Sequence, residues 1–295
     1  MKIKFIGTGS GLNPTLGNTA FVVEGDDKNS NKKLLIDCGF TVTPELHKQG
    51  ILKDITDIAI THLHSDHVGG LELLGFMNYF AYKRRGNDLP TLHLATPTFA
   101  RKTWNLLREG METGQWYDED MRKMCEEGKH DFGELEKKGI DNYKFTPFRM
   151  TDYFNVNIAT LGRYDSGKPR DDFETVVGDL KLIFQPRLHA PFMENYGIEI
   201  QNSEGSIWYS GDTVEALPRD AELSDLVFHD CQFFEGGVHV SYDSLKKKIE
   251  RSMHSEDYKR KTYLVHLGGG WEKIDPKKDG FAGFVMPGDE FEIKS

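Results

Sequence analysis

The sequence predicts an α/β fold: two strand-rich halves around a central insertion. Three observations predict it. Short apolar runs bounded by turn residues fill residues 3–61 and again 180–266. Helix-period segments follow several of these runs. Between the halves, composition shifts over residues 109–144, where Gly, Asp, Glu and Lys crowd around scattered Trp116, Tyr117 and Met121.

The elements follow in order. A strand at 3–6 leads through a glycine turn to strands at 19–23 and 33–37, which a polar hairpin loop at 26–31 joins. An apolar strand at 58–61 precedes a histidine-rich segment. Leu71, Leu74, Met77, Asn78 and Ala81 then recur with helical period, so a helix follows. Strand pattern returns at 91–95, and Pro97 begins a helix carrying Phe99, Trp104 and Leu107. The insertion, set at 109–150 within a single domain of 1–295, reads as helical or irregular with no core of its own, a lid or a dimer contact. Strands resume at 154–161, 180–187, 197–201, 206–210 and 226–229; residues 241–253 read as helix and 262–266 as a last core strand.

Bulk properties exclude some classes. A hydrophobic fraction of 38% with 28% charged residues fits a soluble globular protein. No apolar run is long enough to span a bilayer, so no membrane partner is expected. The N-terminus enters a strand pattern at once, with no signal-peptide pattern. Cys38, Cys125 and Cys231 are odd in number and lack CxxC spacing, which points to a reducing cytoplasm and away from a disulfide framework. A net charge of -10 repels a long polyanion on average, whereas a small anion needs only a local site. The short basic runs at 83–85, 246–248 and 259–261 read as solvated helix faces.

The strongest signal is Thr61-His62-Leu63-His64-Ser65-Asp66-His67. On an extended backbone alternate residues point the same way, so His62 and His64 can face one point. The chain then turns toward the helix, and Asp66 and His67 can reach a second point beside it. Imidazoles suit zinc, and a carboxylate adds a ligand that tolerates manganese or iron. A polar helix cap could use Ser65 or Asp66 but would not explain three histidines. His189, Asp212 and His266 each end an apolar run. Singly, each could be an ordinary strand-end group, and Asp212 beside Gly211 could merely cap a turn.

This HxHxDH segment resembles the hallmark of the metallo-β-lactamase superfamily, and the remaining motifs keep its order. Phe5-Ile6-Gly7-Thr8-Gly9-Ser10-Gly11 is similar to its opening strand and glycine turn, and Leu34-Leu35-Ile36-Asp37-Cys38-Gly39 to its second landmark. The resemblance implies a four-layer αβ/βα sandwich with two divalent metal ions at one sheet edge, zinc by expectation, manganese or iron as alternatives. His62, His64 and His189 would hold one ion, Asp66, His67 and His266 the other, and Asp212 would bridge. Paired metals supply a hydroxide nucleophile at neutral pH and stabilise an oxyanion, which serves phosphodiester, lactone and thioester hydrolysis alike.

The segment Leu226-Val227-Phe228-His229-Asp230-Cys231, followed by His239, resembles the phosphodiesterase branch near the transfer-RNA 3′-processing enzymes, with Asp in place of that branch's Glu. The resemblance implies Asp66, His229, Asp230 and His239 as catalytic residues, with His229 delivering a proton to the leaving group. Phe192 and Tyr196, which follow His189, are expected to line the substrate pocket. A glycine- and proline-rich RNA-binding arm has no room between His189 and Asp212. The expected substrate is therefore a small, cyclic-nucleotide phosphodiester, with RNA disfavoured. Bacterial and phage members of this branch, among them the anti-Pycsar proteins that destroy cyclic pyrimidine mononucleotides, are similar in this respect. A homodimer is expected. The rival readings are a transfer-RNA endonuclease, a lactone or thioester hydrolase, and a metal-stabilised binding module.

Overall fold

The computed structural model describes residues 1–26, 31–82, 88–112, 148–162, 172–216, 219–251 and 254–294. The first sheet runs in the order β15 (Glu290–Glu292), β1 (Lys2–Gly7), β2 (Ala20–Glu24), β3 (Lys33–Ile36), β4 (Asp57–Ala59), β5 (Thr91–Leu94), β6 (Asn155–Ile158). The second runs β14 (Gly283–Phe284), β13 (Thr262–Val265), β12 (Leu226–Asp230), β11 (Gly205–Tyr209), β10 (Tyr196–Asn202), β9 (Leu180–Pro186), β8 (Phe173–Val177), β7 (Thr160–Leu161). Each sheet is antiparallel on one side and parallel on the other, with β3 to β6 and β11 to β14 parallel. The carboxyl ends of these parallel strands lie at one edge, where open α/β sheets place their ligands.

Side-chain alternation assigns the layers. From the second sheet, Ile207, Tyr209, Phe228 and Val265 join the main core. Ring pairs cross between the sheets there: Phe5 to Phe228 at 4.8 Å and Phe21 to Tyr209 at 5.2 Å. Their neighbours Trp208, Val227 and Leu264 face the other way, into a second apolar cluster with Tyr242, Leu245, Ile249 and Tyr258. Helices Tyr242–Ile249 and Ser255–Lys261 therefore cover the outer face of the second sheet. Helix Pro97–Met111 buries Phe99, Thr103, Leu107 and Met111, one stripe at four-residue spacing; Thr96 caps it by accepting from the Phe99 amide at 3.0 Å. The four-layer αβ/βα sandwich stands.

Several expectations are corrected. The run at 154–161 is two strands: β6 closes the first sheet, the chain crosses at Ala159, and β7 opens the second. The helix after the histidine segment is a turn at Ser65–Val68, then Leu71–Phe76, ending in a π-helical turn over Met77–Tyr82. The basic run at 259–261 is not a solvated face. Lys259 is buried, pairs with Glu250 at 3.0 Å, and lies over the Phe281 ring, while Lys261 donates to the carbonyls of Glu222 and Ser224. Insertion residues 113–147, with Trp116, Tyr117, Met121 and Cys125, and the basic run at 83–85 lie outside the described residues.

Candidate metal centre

Seven side chains converge on the strand-end edge from both sheets. His62 and His64 follow β4, and Asp66 and His67 sit in the turn Ser65–Val68 behind them. His189 follows β9, Asp212 follows β11, and His266 follows β13. His64 Nδ1 lies 3.1 Å from His62 Nε2 and 3.0 Å from His189 Nε2. On the other side, His266 Nε2 and His67 Nε2 lie 3.2 and 3.6 Å from Asp66 Oδ2. Asp212 is common to both groups: its carboxylate is 3.6 Å from His62, 3.8 Å from His189, 3.3 Å from His67 and 3.4 Å from His266.

These separations fit metal binding. Donors bonded at about 2.1 Å around a tetrahedral ion lie about 3.4 Å apart. His67 Nε2 and Asp212 Oδ1 are buried with no hydrogen-bond partner, a cost that a shared cation removes. Two groups of four donors, His62, His64, His189, Asp212 and Asp66, His67, Asp212, His266, are each compact enough for one ion, and so is a third, Asp212, Asp230, His239, His266, which overlaps the second.

The surroundings fix which nitrogen of each ring faces inward. Asp37, buried at the end of β3 with φ of 60°, accepts from the Thr61 amide, the Thr61 hydroxyl and His67 Nδ1. With its own proton committed to Asp37, the Thr61 hydroxyl accepts from His62 Nδ1 at 3.0 Å. His189 Nδ1 donates to the Val238 carbonyl at 2.7 Å. In His62, His67 and His189, Nε2 is thus left for the cluster. Asn195 donates to the Asp212 carbonyl at 2.7 Å and braces that turn. Asp37, Thr61 and Asn195 had no role in the sequence reading; the signal available was an aspartate directly after an apolar strand.

Two glycines, one in the glycine turn and one after β3, are required by the closeness of Asp66. A Cβ on Gly11 would lie 2.9 Å from Asp66 Oδ2, and one on Gly39 2.0 Å from the Asp66 carbonyl oxygen.

Charge follows burial and neighbours. Burial, then the facing imidazoles, push His62 well below the ordinary histidine range; burial and His189 lower His64. Burial would also lower His266, but Asp212, Asp230 and Asp66 outweigh it and push it up to about 10. Burial would raise Asp66, yet its hydrogen bond with His266 and the charge of His67 hold it well below the carboxylate range.

Asp230 and His239 reach the same edge. Asp230 Oδ2 accepts from His239 Nδ1 at 2.8 Å and from the Thr213 amide at 2.9 Å, and its Oδ1 is 3.2 Å from His266 Nδ1. His239 stacks on His266 with ring centroids 4.8 Å apart. Burial would lower the His239 pKa, but Asp230 and then Asp212 raise it.

The structure does not bring His229 there. It has the parity of Val227, so it faces the outer helices, buried beside Trp208 at 5.8 Å, with Nδ1 donating to the Asp230 carbonyl at 2.6 Å. The expected pocket residues differ too. Tyr196 is core, with its ring against Phe99 at 5.6 Å and Phe184 at 6.1 Å. Phe192 is fully exposed at a φ of 62° and borders a separate hollow with Leu63, Lys102 and Glu194. The cavity at the cluster, about 430 Å³, is lined instead by Leu12, Phe40, Gln232 and Phe234 together with His64, Asp66, Asp212, His239 and His266.

Comparison with known proteins bears on the fold and the family. The chain is similar to the metallo-β-lactamase-fold protein YhfI of Bacillus subtilis, at a TM-score of 0.62 and 14% identity over 99% of both chains. It is similar to the short form of human tRNase Z, at a TM-score of 0.60 and 15% identity over 100% of both. At such identities the likeness is one of fold. The anti-Pycsar protein Apyc1 of Bacillus phage BSP38 is 31% identical over 94% of this chain and 92% of its own. A family model described as anti-Pycsar protein Apyc1 matches residues 1–291, and the chain belongs to that family.

Proposed function

We propose that the protein hydrolyses the phosphodiester of a cyclic mononucleotide, with two zinc ions per chain. The observation that carries this reading is the pair of four-donor groups sharing Asp212, with His239 beside them on a cavity of about 430 Å³. Such a volume suits a mononucleotide. No Lys or Arg is among the described residues lining it, and Lys246, Lys259 and Lys261 are committed to Asp279, Glu250 and backbone carbonyls. Family membership supports the substrate class.

His62, His64 and His189 would hold one ion, Asp66, His67 and His266 the other, with Asp212 common to both. The ions would activate water and offset negative charge on the phosphoryl oxygens. The chain's own residues do the rest. Asp37, Thr61 and the Val238 carbonyl hold the imidazoles in register. Asp230 orients His239 and favours its protonated form, so that His239 Nε2 delivers a proton to the departing ribose oxygen. That role, expected of His229, passes to His239. A homodimer and a cytoplasmic setting are proposed with it, the latter in keeping with the buried free thiols of Cys38 and Cys231.

The test is a substrate panel at physiological salt: cyclic mononucleotides, a pre-tRNA and a lactone. Cyclic mononucleotides should be cleaved far faster than either of the others; site-specific cleavage of pre-tRNA, or preference for the lactone, reverses the proposal.

A further inference from the structure

The cavity beside the metal centre has two chemically different surfaces. One is the ligand set with His239. The other is apolar and comes from three separate loops: Leu12 after the glycine turn, Phe40 after Gly39, and Phe234 between Gln232 and His239. These side chains are 96%, 43% and 61% exposed. A single exposed apolar side chain is ordinary; three from distant parts of the chain on one cavity are a ligand surface. With no Lys or Arg among the described lining residues, nothing there pairs with a second anionic group. The apolar surface formed by these described residues suits an uncharged group beyond the reacting phosphodiester.

Phe234 is also held in place. Gln232 Nε2 donates to the carbonyls of Phe234, at 2.9 Å, and Gly236. The Gln232 amide donates to the Val240 carbonyl at 3.0 Å and closes the loop at its base. His239 lies on this same closed loop.

We propose that Phe40 and Phe234, with Leu12, form the platform that holds the substrate's nucleobase by stacking, and so set a preference for base-bearing substrates over those without a base. The inference rests on the cyclic-nucleotide reading above. A nucleobase is flat, uncharged and polarisable, and stacking on an aromatic ring changes affinity by about 5- to 150-fold per base. Because Phe234 shares a loop with His239, its removal disturbs turnover as well as binding. Phe40 stands on another loop, and its removal acts on KM.

The experiment compares adenosine 3′,5′-cyclic phosphate with the same cyclic ribose phosphate lacking its base, by kcat and KM. In parallel, calorimetry compares binding of adenosine 5′-phosphate with ribose 5-phosphate. The wild-type preference for the base-bearing compound should fall about 5- to 150-fold in Phe40→Ala, through KM and affinity, and Phe40→Trp should restore it. Phe234→Ala should lower kcat too. Both side chains are exposed, and melting temperature with metal content reports on the fold of each variant. An unchanged preference in both alanine variants, with cyclic phosphodiester hydrolysis intact, overturns the platform and leaves the hydrolase reading standing. A binding preference that falls as expected in a protein that cleaves neither compound supports the platform and overturns the hydrolase reading. Absence of both binding and cleavage overturns both.

Discussion

Asp230 lies between two imidazoles, His239 and His266, and its side chain decides what His239 can do. A histidine held beside a buried carboxylate stays protonated to higher pH and is suited to donate. His239→Ala should therefore slow release of a ribose alkoxide by roughly 10²–10⁴-fold. It should barely change release of p-nitrophenolate, which needs no proton, and leave metal content unaltered. Equal slowing on both leaving groups, or loss of metal, would remove the proton-delivery role. His229 next door has a different consequence. Burial pushes its pKa down to about 4, against 6.5 for a free histidine. The unfolded chain therefore takes up a proton as pH falls through 6.5, while the folded chain resists until about 4. Stability is undiminished above that window and declines through it, by roughly 3 kcal/mol at the acid end. Urea titrations at pH 7 and pH 4.5 should show this decline, and His229→Leu should reduce it by the His229 share, the other histidines with lowered pKa keeping theirs. At this scale the sequence pointed to the seven side chains that the structure brings together, because the HxHxDH run and the order of the family's motifs singled out residues that alone could be ordinary strand-end groups. It could not separate His229 from Asp230. Which of two adjacent residues faces the site depends on strand parity, and a one-residue difference exchanges the faces.

At the scale of elements, the centre is a product of short loops after the parallel strands β4, β11, β12 and β13 and the antiparallel strand β9. Those strands read clearly because burial on both faces makes them near-continuous apolar runs. Strands β8, β14 and β15 did not read: they are two to five residues long and lie toward the sheet margins, where partners and not composition create the strand. The Phe40 and Phe234 loops were equally silent, since an exposed phenylalanine in a loop has no periodic signal. The glycine turn is open to test. Any side chain on Gly11 must push Asp66 aside, and Asp66 belongs to only one of the two groups. Gly11→Val should lower bound metal from two ions per chain toward one and cut turnover by about 10- to 100-fold, as loss of ligand support does elsewhere. Metal analysis giving two ions per chain would show that Asp66 tolerates the intrusion.

For the whole molecule, the ligands divide between the sheets: His62, His64, Asp66 and His67 come from the first, His189, Asp212 and His266 from the second. Bound ions would thus tie the two sheets at one edge. Removing them with a chelator should lower the melting temperature, because binding to the folded state alone stabilises it, by about 2.7 kcal/mol when the free ion stands at 100 times its dissociation constant. An unchanged melting temperature after verified metal loss would contradict the ligand assignment. The shared carboxylate of Asp212 carries this further. If two ions bind as proposed, an ion in one position would fix that side chain and its charge and alter the affinity of the other position, and the second ion would affect the first by the same factor. Occupancy is then a cooperative property of the pair. As ion concentration rises, the half-loaded molecule is populated differently than for independent sites, and the activity of a mixed sample follows the fraction of doubly loaded molecules and not the average metal content.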